Sequence, residues 1–178
     1  MIQNFSCVAI PTVGIYFLGD YQNILKKTAR AGRVSLNMLL DEKSVQKSLA
    51  TWFKVNSYAV IEQCIDNPLL FNDITECRTH DIFGIDIVAK RNNLWIIEVK
   101  GETKGGKAAA ISNFYYGIGQ IITRMSVIST NVNYALAVPN TDNFATPVKK
   151  FLNSPALQIL NLSIILVQPN GRPIFLDN

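Results

Sequence analysis

Two β-forming runs, residues 82–90 and 94–100, are separated by little more than Asn92-Asn93. Such runs around a turn-forming dipeptide predict an antiparallel hairpin. A hairpin in the middle of the chain limits what the flanking segments can build. Its second run is apolar from Leu94 to Ile97 and then ends in Glu98-Val99-Lys100. Residues two apart on a strand point to the same face, so Glu98 and Lys100 project together while Trp95, Ile97 and Val99 project the other way into packing. A carboxylate and an ammonium at the end of an apolar run are costly unless they are paired or bind a ligand.

The rest of the chain supplies elements to pack against this hairpin. Asp41 is placed to cap a helix running to about residue 55, with Val45, Leu49, Trp52 and Phe53 on one apolar face. Glu42 falls on that inner face, so its carboxylate belongs either at the wet end of the helix or at a site. Residues 58–65 read as a strand, and 66–81 are mostly polar. Gly101, Gly105 and Gly106 form a flexible loop that carries lysines. Ile111, Phe114, Tyr115, Ile118, Ile121, Ile122 and Met125 share one face of a helix expected over about 108–128. A strand over 133–138, a helix over about 144–152, a strand over 162–168 and a last short strand over 173–176 complete the chain. The order αβββαβαβ plus a C-terminal edge strand predicts an α/β fold, a mixed β-sheet with helices on both faces. At 178 residues the chain is expected to form a single domain, 1–178, in which 1–40 is an N-terminal extension to the core.

Asp86 belongs to the first run of the hairpin. Two carboxylates converging from neighbouring strands, Asp86 and Glu98, suit a hard divalent cation, because Mg²⁺ takes oxygen ligands and needs only one or two carboxylates beside its waters. Lys100 beside them can hold an attacking water and stabilise developing negative charge. The same residues also fit a buried ion pair without catalysis. Strand parity separates these outcomes. Directly opposed residues of an antiparallel pair share a face, and their numbers have a constant sum. A two-residue turn at Asn92-Asn93 would set Asp86 opposite Val99, facing away from Glu98. A three-residue loop, Arg91-Asn92-Asn93, sets Asp86 opposite Glu98. The chemistry therefore requires an odd-length loop, or a β-bulge of the same effect, with Asn93 a candidate for its left-handed position.

Composition excludes several classes. At 48% hydrophobic and 17% charged the chain is not a disordered one. Cys7, Cys64 and Cys77 are scattered, with no Cys-x-x-Cys pair, which argues against a zinc site or a disulfide framework and for a cytoplasmic chain. The apolar stretch 7–18 is interrupted by Pro11 and Gly14 and lacks a basic flank, so neither a signal peptide nor a membrane span is expected. The net charge of +4 is uneven. Residues 26–54 carry seven Lys/Arg against Asp41 and Glu42, and residues 90–107 carry five against Glu98 and Glu102. Each cluster is either a solvated face or a contact for phosphate. His80, the only histidine, sits in a polar loop and is assigned no role. The loop 101–106 lacks the Gly-Lys-Ser/Thr ending of a phosphate-binding loop.

Asp86, an eleven-residue spacer and Glu98-x-Lys100 resemble the signature of the PD-(D/E)XK nuclease superfamily. The element order from Asp41 to Gln168 resembles that superfamily's restriction-endonuclease-like core, over about three quarters of the chain. The resemblance implies a Mg²⁺-dependent DNA nuclease, with Mn²⁺ able to substitute, hydrolysing phosphodiester bonds as an endonuclease of restriction, repair or recombination type. It implies that Asp86 and Glu98 bind the metal, with the Val99 carbonyl as a third ligand, and that Lys100 positions the water. Glu42 matches a helix glutamate that many members carry near the metal. Gln120 matches a glutamine on the helix after the motif, and it shares a polar stripe with Asn113, Tyr116, Thr123 and Arg124. Tyr116 and Arg124 on that stripe, with Lys104 and Lys107 on the glycine loop, are the expected nucleic-acid contacts. An enzyme of this size cutting both strands is expected to act as a homodimer. Two positions depart from the pattern: Ile85 replaces the proline expected before the aspartate, and Arg124 stands where a tyrosine often follows the glutamine. The stretch from Gly119-Gln120 through Tyr134–Pro139 to the final hairpin also resembles the small excision-controlling-factor family, which implies the alternative of a non-catalytic accessory or regulatory factor binding DNA or a protein partner.

Overall fold

Leu94 and Ile96 are buried on one side of β3 (Leu94–Val99), and Ile97 and Val99 on the other. The strand is thus covered on both faces, as a central strand of an α/β sheet must be. The structure is a computed structural model of the chain and describes residues 40–62, 84–125, 130–155, 159–160 and 162–176. The three cysteines, His80 and the basic residues Lys26, Lys27, Arg30 and Arg33 lie outside the described residues, as do all but the last residue of the expected extension 1–40.

The described elements run α1 (Glu42–Val55), β1 (Ala59–Glu62), β2 (Ile87–Lys90), β3, α2 (Gly106–Ile122), β4 (Val132–Pro139), α3 (Asp142–Leu152), β5 (Leu162–Val167) and β6 (Pro173–Leu176). The six strands lie in chain order across one sheet. β1, β2 and β3 are antiparallel neighbours, β3, β4 and β5 are parallel, and β6 returns antiparallel on β5. The fold is therefore α/β, with a mixed six-stranded sheet and three helices among the described residues. On one face Phe114, Ile118 and Ile121 of α2 and Phe144, Val148 and Phe151 of α3 pack on Ile96, Leu136 and Ile164. On the other, Val45, Leu49, Ala50 and Phe53 of α1 pack on Ile97, Ala135 and Ile165. No helix among the described residues is long and apolar enough to cross a membrane.

Asp41 caps α1 as its sequence suggests, its Oδ1 accepting the Ser44 N–H at 2.8 Å. Asn56 and Ser57 end the helix, Ser57 with φ +65°. Tyr58 then turns back, and its ring joins Phe53, Trp95 and Phe175 in an aromatic cluster over the α1 face.

Three expectations need correction. β2 begins at Ile87, so Asp86 lies in a bend just before the strand, after Gly84 with φ +73°. α2 ends at Ile122 rather than 128, leaving Arg124 in the turn that follows. Tyr115 and Ile122, expected on the buried face of α2, are 45% and 37% exposed. Seven apolar residues around a helix form an arc too wide for one sheet to cover, and the edge of that arc faces solvent.

Candidate active site

The site begins with the hairpin register. β2 and β3 pair as Ile87↔Ile97, Val88↔Ile96, Ala89↔Trp95 and Lys90↔Leu94. The connecting loop is therefore the three-residue Arg91-Asn92-Asn93, one of the two odd-parity arrangements expected from the sequence. It closes with the Arg91 N–H donating to the Asn93 carbonyl at 3.2 Å. Asn93 is not left-handed: Ser57 is the only non-glycine residue with positive φ among those described. One more step of the register sets Asp86 opposite Glu98.

At that step a side chain replaces the backbone ladder. Asp86 Oδ2 accepts the Val99 N–H at 2.8 Å, the kind of side-chain competition that ends strands. Gln46 of α1 donates its Nε2 to the Asp86 carbonyl at 2.9 Å. Asp86 is thus tied through its carboxylate to β3 and through its backbone to α1.

β3 carries the other groups. Glu98 is only 2% exposed and Lys100 8%. Lys100 extends the parallel pairing beyond the strand, its N–H donating to the Ala137 carbonyl at 2.9 Å. Its Nζ bonds Glu98 Oε1 at 2.6 Å, while Glu98 Oε2 is buried with no hydrogen-bond partner among the described residues. A buried acceptor left in this way costs free energy unless a donor or a cation meets it.

Glu42, at the first turn of α1, brings its Oε2 to 3.9 Å from Lys100 Nζ. Gly101 explains the approach. A Cβ there would lie 2.0 Å from the Glu42 backbone nitrogen, so only glycine lets the exit of β3 lie against the start of α1. The Glu102 N–H then donates to the Leu40 carbonyl at 2.9 Å. Far from being a flexible position, Gly101 is buried and closely packed. Glu102 itself is occupied elsewhere, accepting from Thr141 Oγ1 and Asn143 Nδ2.

The polar stripe of α2 covers the same place. At Gly117 a Cβ would meet Leu136 Cδ1 at 2.6 Å and Lys100 Cγ at 3.0 Å, so its absence lets the helix lie down on the lysine stem. One residue earlier, the Tyr116 ring centroid stands 5.9 Å from Lys100 Nζ, within cation–π reach. Arg124 Nη2 reaches the Gly84 carbonyl at 3.4 Å, and its charge favours the ionised forms of both Asp86 and Glu98. Gln120 lies between Tyr116 and Arg124, one turn from each, and its Oε1 is buried without a hydrogen-bond partner among the described residues. By contrast Lys104 and Lys107 are exposed at the loop and the first turn of α2.

Burial pushes the carboxyls of Asp86, Glu98 and Glu42 above their ordinary range. The Val99 N–H and Lys100 oppose this at Asp86, the Lys100 hydrogen bond opposes it at Glu98, and the Lys100 charge opposes it at Glu42. Among the described residues no three His, Cys, Asp or Glu side chains form a group that could hold an ion. A cation here would draw instead on Asp86, Glu98, a backbone carbonyl and water. That donor set fits Mg²⁺, which keeps several waters, and the unpartnered Glu98 Oε2 offers it a place.

Gln46 was not singled out from the sequence. Its position did carry a signal: it is a polar residue three before Leu49 and four before Ala50, on the face that packs on the sheet. Comparison of the chain with family models, with curated proteins and with solved structures finds no match.

Proposed function

We propose that this chain is a divalent-cation-dependent deoxyribonuclease with a restriction-endonuclease-like core of the PD-(D/E)XK type, cutting phosphodiester bonds within DNA. One observation carries the reading: Asp86, Glu98 and Lys100 meet at the end of β3, with a buried carboxylate oxygen of Glu98 left without a partner among the described residues. A bound cation would meet that oxygen, which a Glu98–Lys100 ion pair by itself leaves open.

Asp86, Glu98 and the Val99 carbonyl would hold Mg²⁺, or Mn²⁺ in its place. The bound ion would supply Lewis acidity toward a phosphate oxygen and lower the pKa of a water. Lys100 contributes an ammonium beside the carboxylates, placed to orient the attacking water and to meet negative charge as it builds on the phosphate. Gln120, whose Oε1 has no partner among the described residues, is assigned to holding that water or the cation. Tyr116 and Arg124 flank the site and are assigned to the phosphodiester backbone, as are Lys104 on the loop and Lys107 in the first turn of α2. Hydrolysis consumes one water and breaks one phosphorus–oxygen ester bond. Cutting both strands calls for a two-fold dimer.

Nicking of supercoiled plasmid tests this reading. The wild type is expected to nick in Mg²⁺ and Mn²⁺ and not in EDTA. Asp86→Asn and Lys100→Gln, each checked for folding by circular dichroism, should lose roughly 10²-fold or more in rate, the scale of losing one electrostatic stabiliser. Intact plasmid under every condition would sink the nuclease reading and leave the accessory, non-cutting role.

A further inference from the structure

The outer side of α1 is basic. Lys43 and Lys47 are exposed there one turn apart, and neither has an ion-pair partner among the described residues. Lys54 lies further along the helix and pairs with Glu62 of β1 at 2.6 Å. Between α1 and this edge strand runs an open groove of about 440 Å³, lined by Lys43, Gln46, Lys47, Thr51, Lys54 and Glu62. Pockets for small apolar ligands are lined mainly by hydrophobic and aromatic side chains. This one presents three ammonium groups against one carboxylate.

Resting on the nuclease reading, we infer that this groove is the track for the DNA phosphate backbone on one side of the candidate site. The charges are strung out rather than convergent. From Lys43 to Lys54 the helix rises about 16 Å. A row of that length, Lys43 and Lys47 open and Lys54 shared with Glu62, suits a linear polyanion better than a single phosphate group, which would need its donors gathered around it. Thr51 does not compete for the groove, since its hydroxyl donates to the Lys47 carbonyl of its own helix at 2.7 Å.

The groove also leads to the chemistry. Gln46 lines it, is 7% exposed and donates to the Asp86 carbonyl. Glu42, one turn earlier, approaches Lys100. A strand lying along Lys47 and Lys43 therefore runs toward the carboxylates, and the helix that grips it also holds Asp86 in place.

Fluorescence anisotropy with a fluorescein-labelled DNA duplex in EDTA, titrated with NaCl, tests the inference. Each phosphate contact adds about 0.9 to the slope of log affinity against log salt. The double variant Lys43→Gln/Lys47→Gln should therefore lose about 1.8 of that slope. Lys149→Gln/Lys150→Gln removes the same charge from two exposed lysines of α3, across the sheet from α1, and should leave the slope unchanged. Equal losses in both variants, or none in the α1 variant, overturn the groove. If the wild type nicks plasmid while the α1 variant keeps its full slope, the groove alone falls. If the wild type neither binds nor nicks DNA, both readings fall together.

Discussion

Asp86 is a buried-side carboxylate whose neighbours only partly compensate for lost water. Its pKa is raised by burial, against the pull of the Val99 N–H and Lys100. An acid raised on folding contributes stability that is fully present below its unfolded pKa, about 3.9, and is lost as pH rises through the folded value. Asparagine keeps an acceptor for the Val99 N–H and carries no charge. Asp86→Asn should therefore melt a few degrees above the wild type at neutral pH in EDTA, where about 1 kcal/mol is worth roughly 2–4 °C in a chain this size. The gap should close toward pH 4. Melts by calorimetry across that range decide it, and a variant less stable than wild type at pH 7 would show that the ionised Asp86 is a net stabiliser. Glu98 and Lys100 were legible in the sequence because charges at the end of an apolar run break the rule that buried charge is costly. Gln46 was not, because a single amide among apolar helix residues breaks that rule less loudly.

Elements meet at glycines in two places, and the two contacts differ in kind. At Gly101 the missing Cβ would strike backbone, the Glu42 nitrogen and Cα and the Asp41 carbonyl carbon. At Gly117 it would strike side chains, those of Leu136 and Lys100. Backbone cannot turn aside as a side chain can. Gly101→Ala should therefore cost about 3 kcal/mol, the upper part of the overpacking range. Gly117→Ala should lie within about 1 kcal/mol of the wild type, since alanine's gain in helix propensity offsets the crowding. Parallel urea melts compare them, and equal losses would refute the distinction. Element pairing itself was legible where it reduces to arithmetic. The odd loop at Arg91-Asn92-Asn93 follows from requiring Asp86 and Glu98 on one face, and the register Lys90↔Leu94 agrees. Backbone detail did not reduce in that way. Asn93 avoids the left-handed region, and the bend at Asp86 depends on a side chain taking the place of a strand carbonyl. The placement of the α2 polar stripe was also hidden, since a stripe lying over buried charges and a stripe facing water have the same sequence pattern.

At the scale of the whole molecule, charge and topology work together. In open α/β sheets, ligands bind beyond the carboxyl ends of the parallel strands. Glu98 and Lys100 stand at that end of β3, with Asp86 tied beside them and Glu42 brought in from α1. Three carboxyls raised by burial gather near Lys100, in a chain whose net charge is +4. On the nuclease reading the site takes a cation, while the surface around α1 meets the phosphate backbone. If Mg²⁺ fills that need with a dissociation constant of about 1 mM, a tenfold excess stabilises the fold by about 1.4 kcal/mol, or roughly 3–6 °C. Protons compete with the metal for carboxyls whose pKa is raised, so the shift should be larger at pH 8 than at pH 6. It should vanish in Asp86→Asn, which keeps the fold and loses a ligand. Thermal shift in Mg²⁺ against EDTA reads this without any substrate. An equal shift in the variant, or one indifferent to pH, would place the ion elsewhere on the molecule and leave Glu98 Oε2 unexplained.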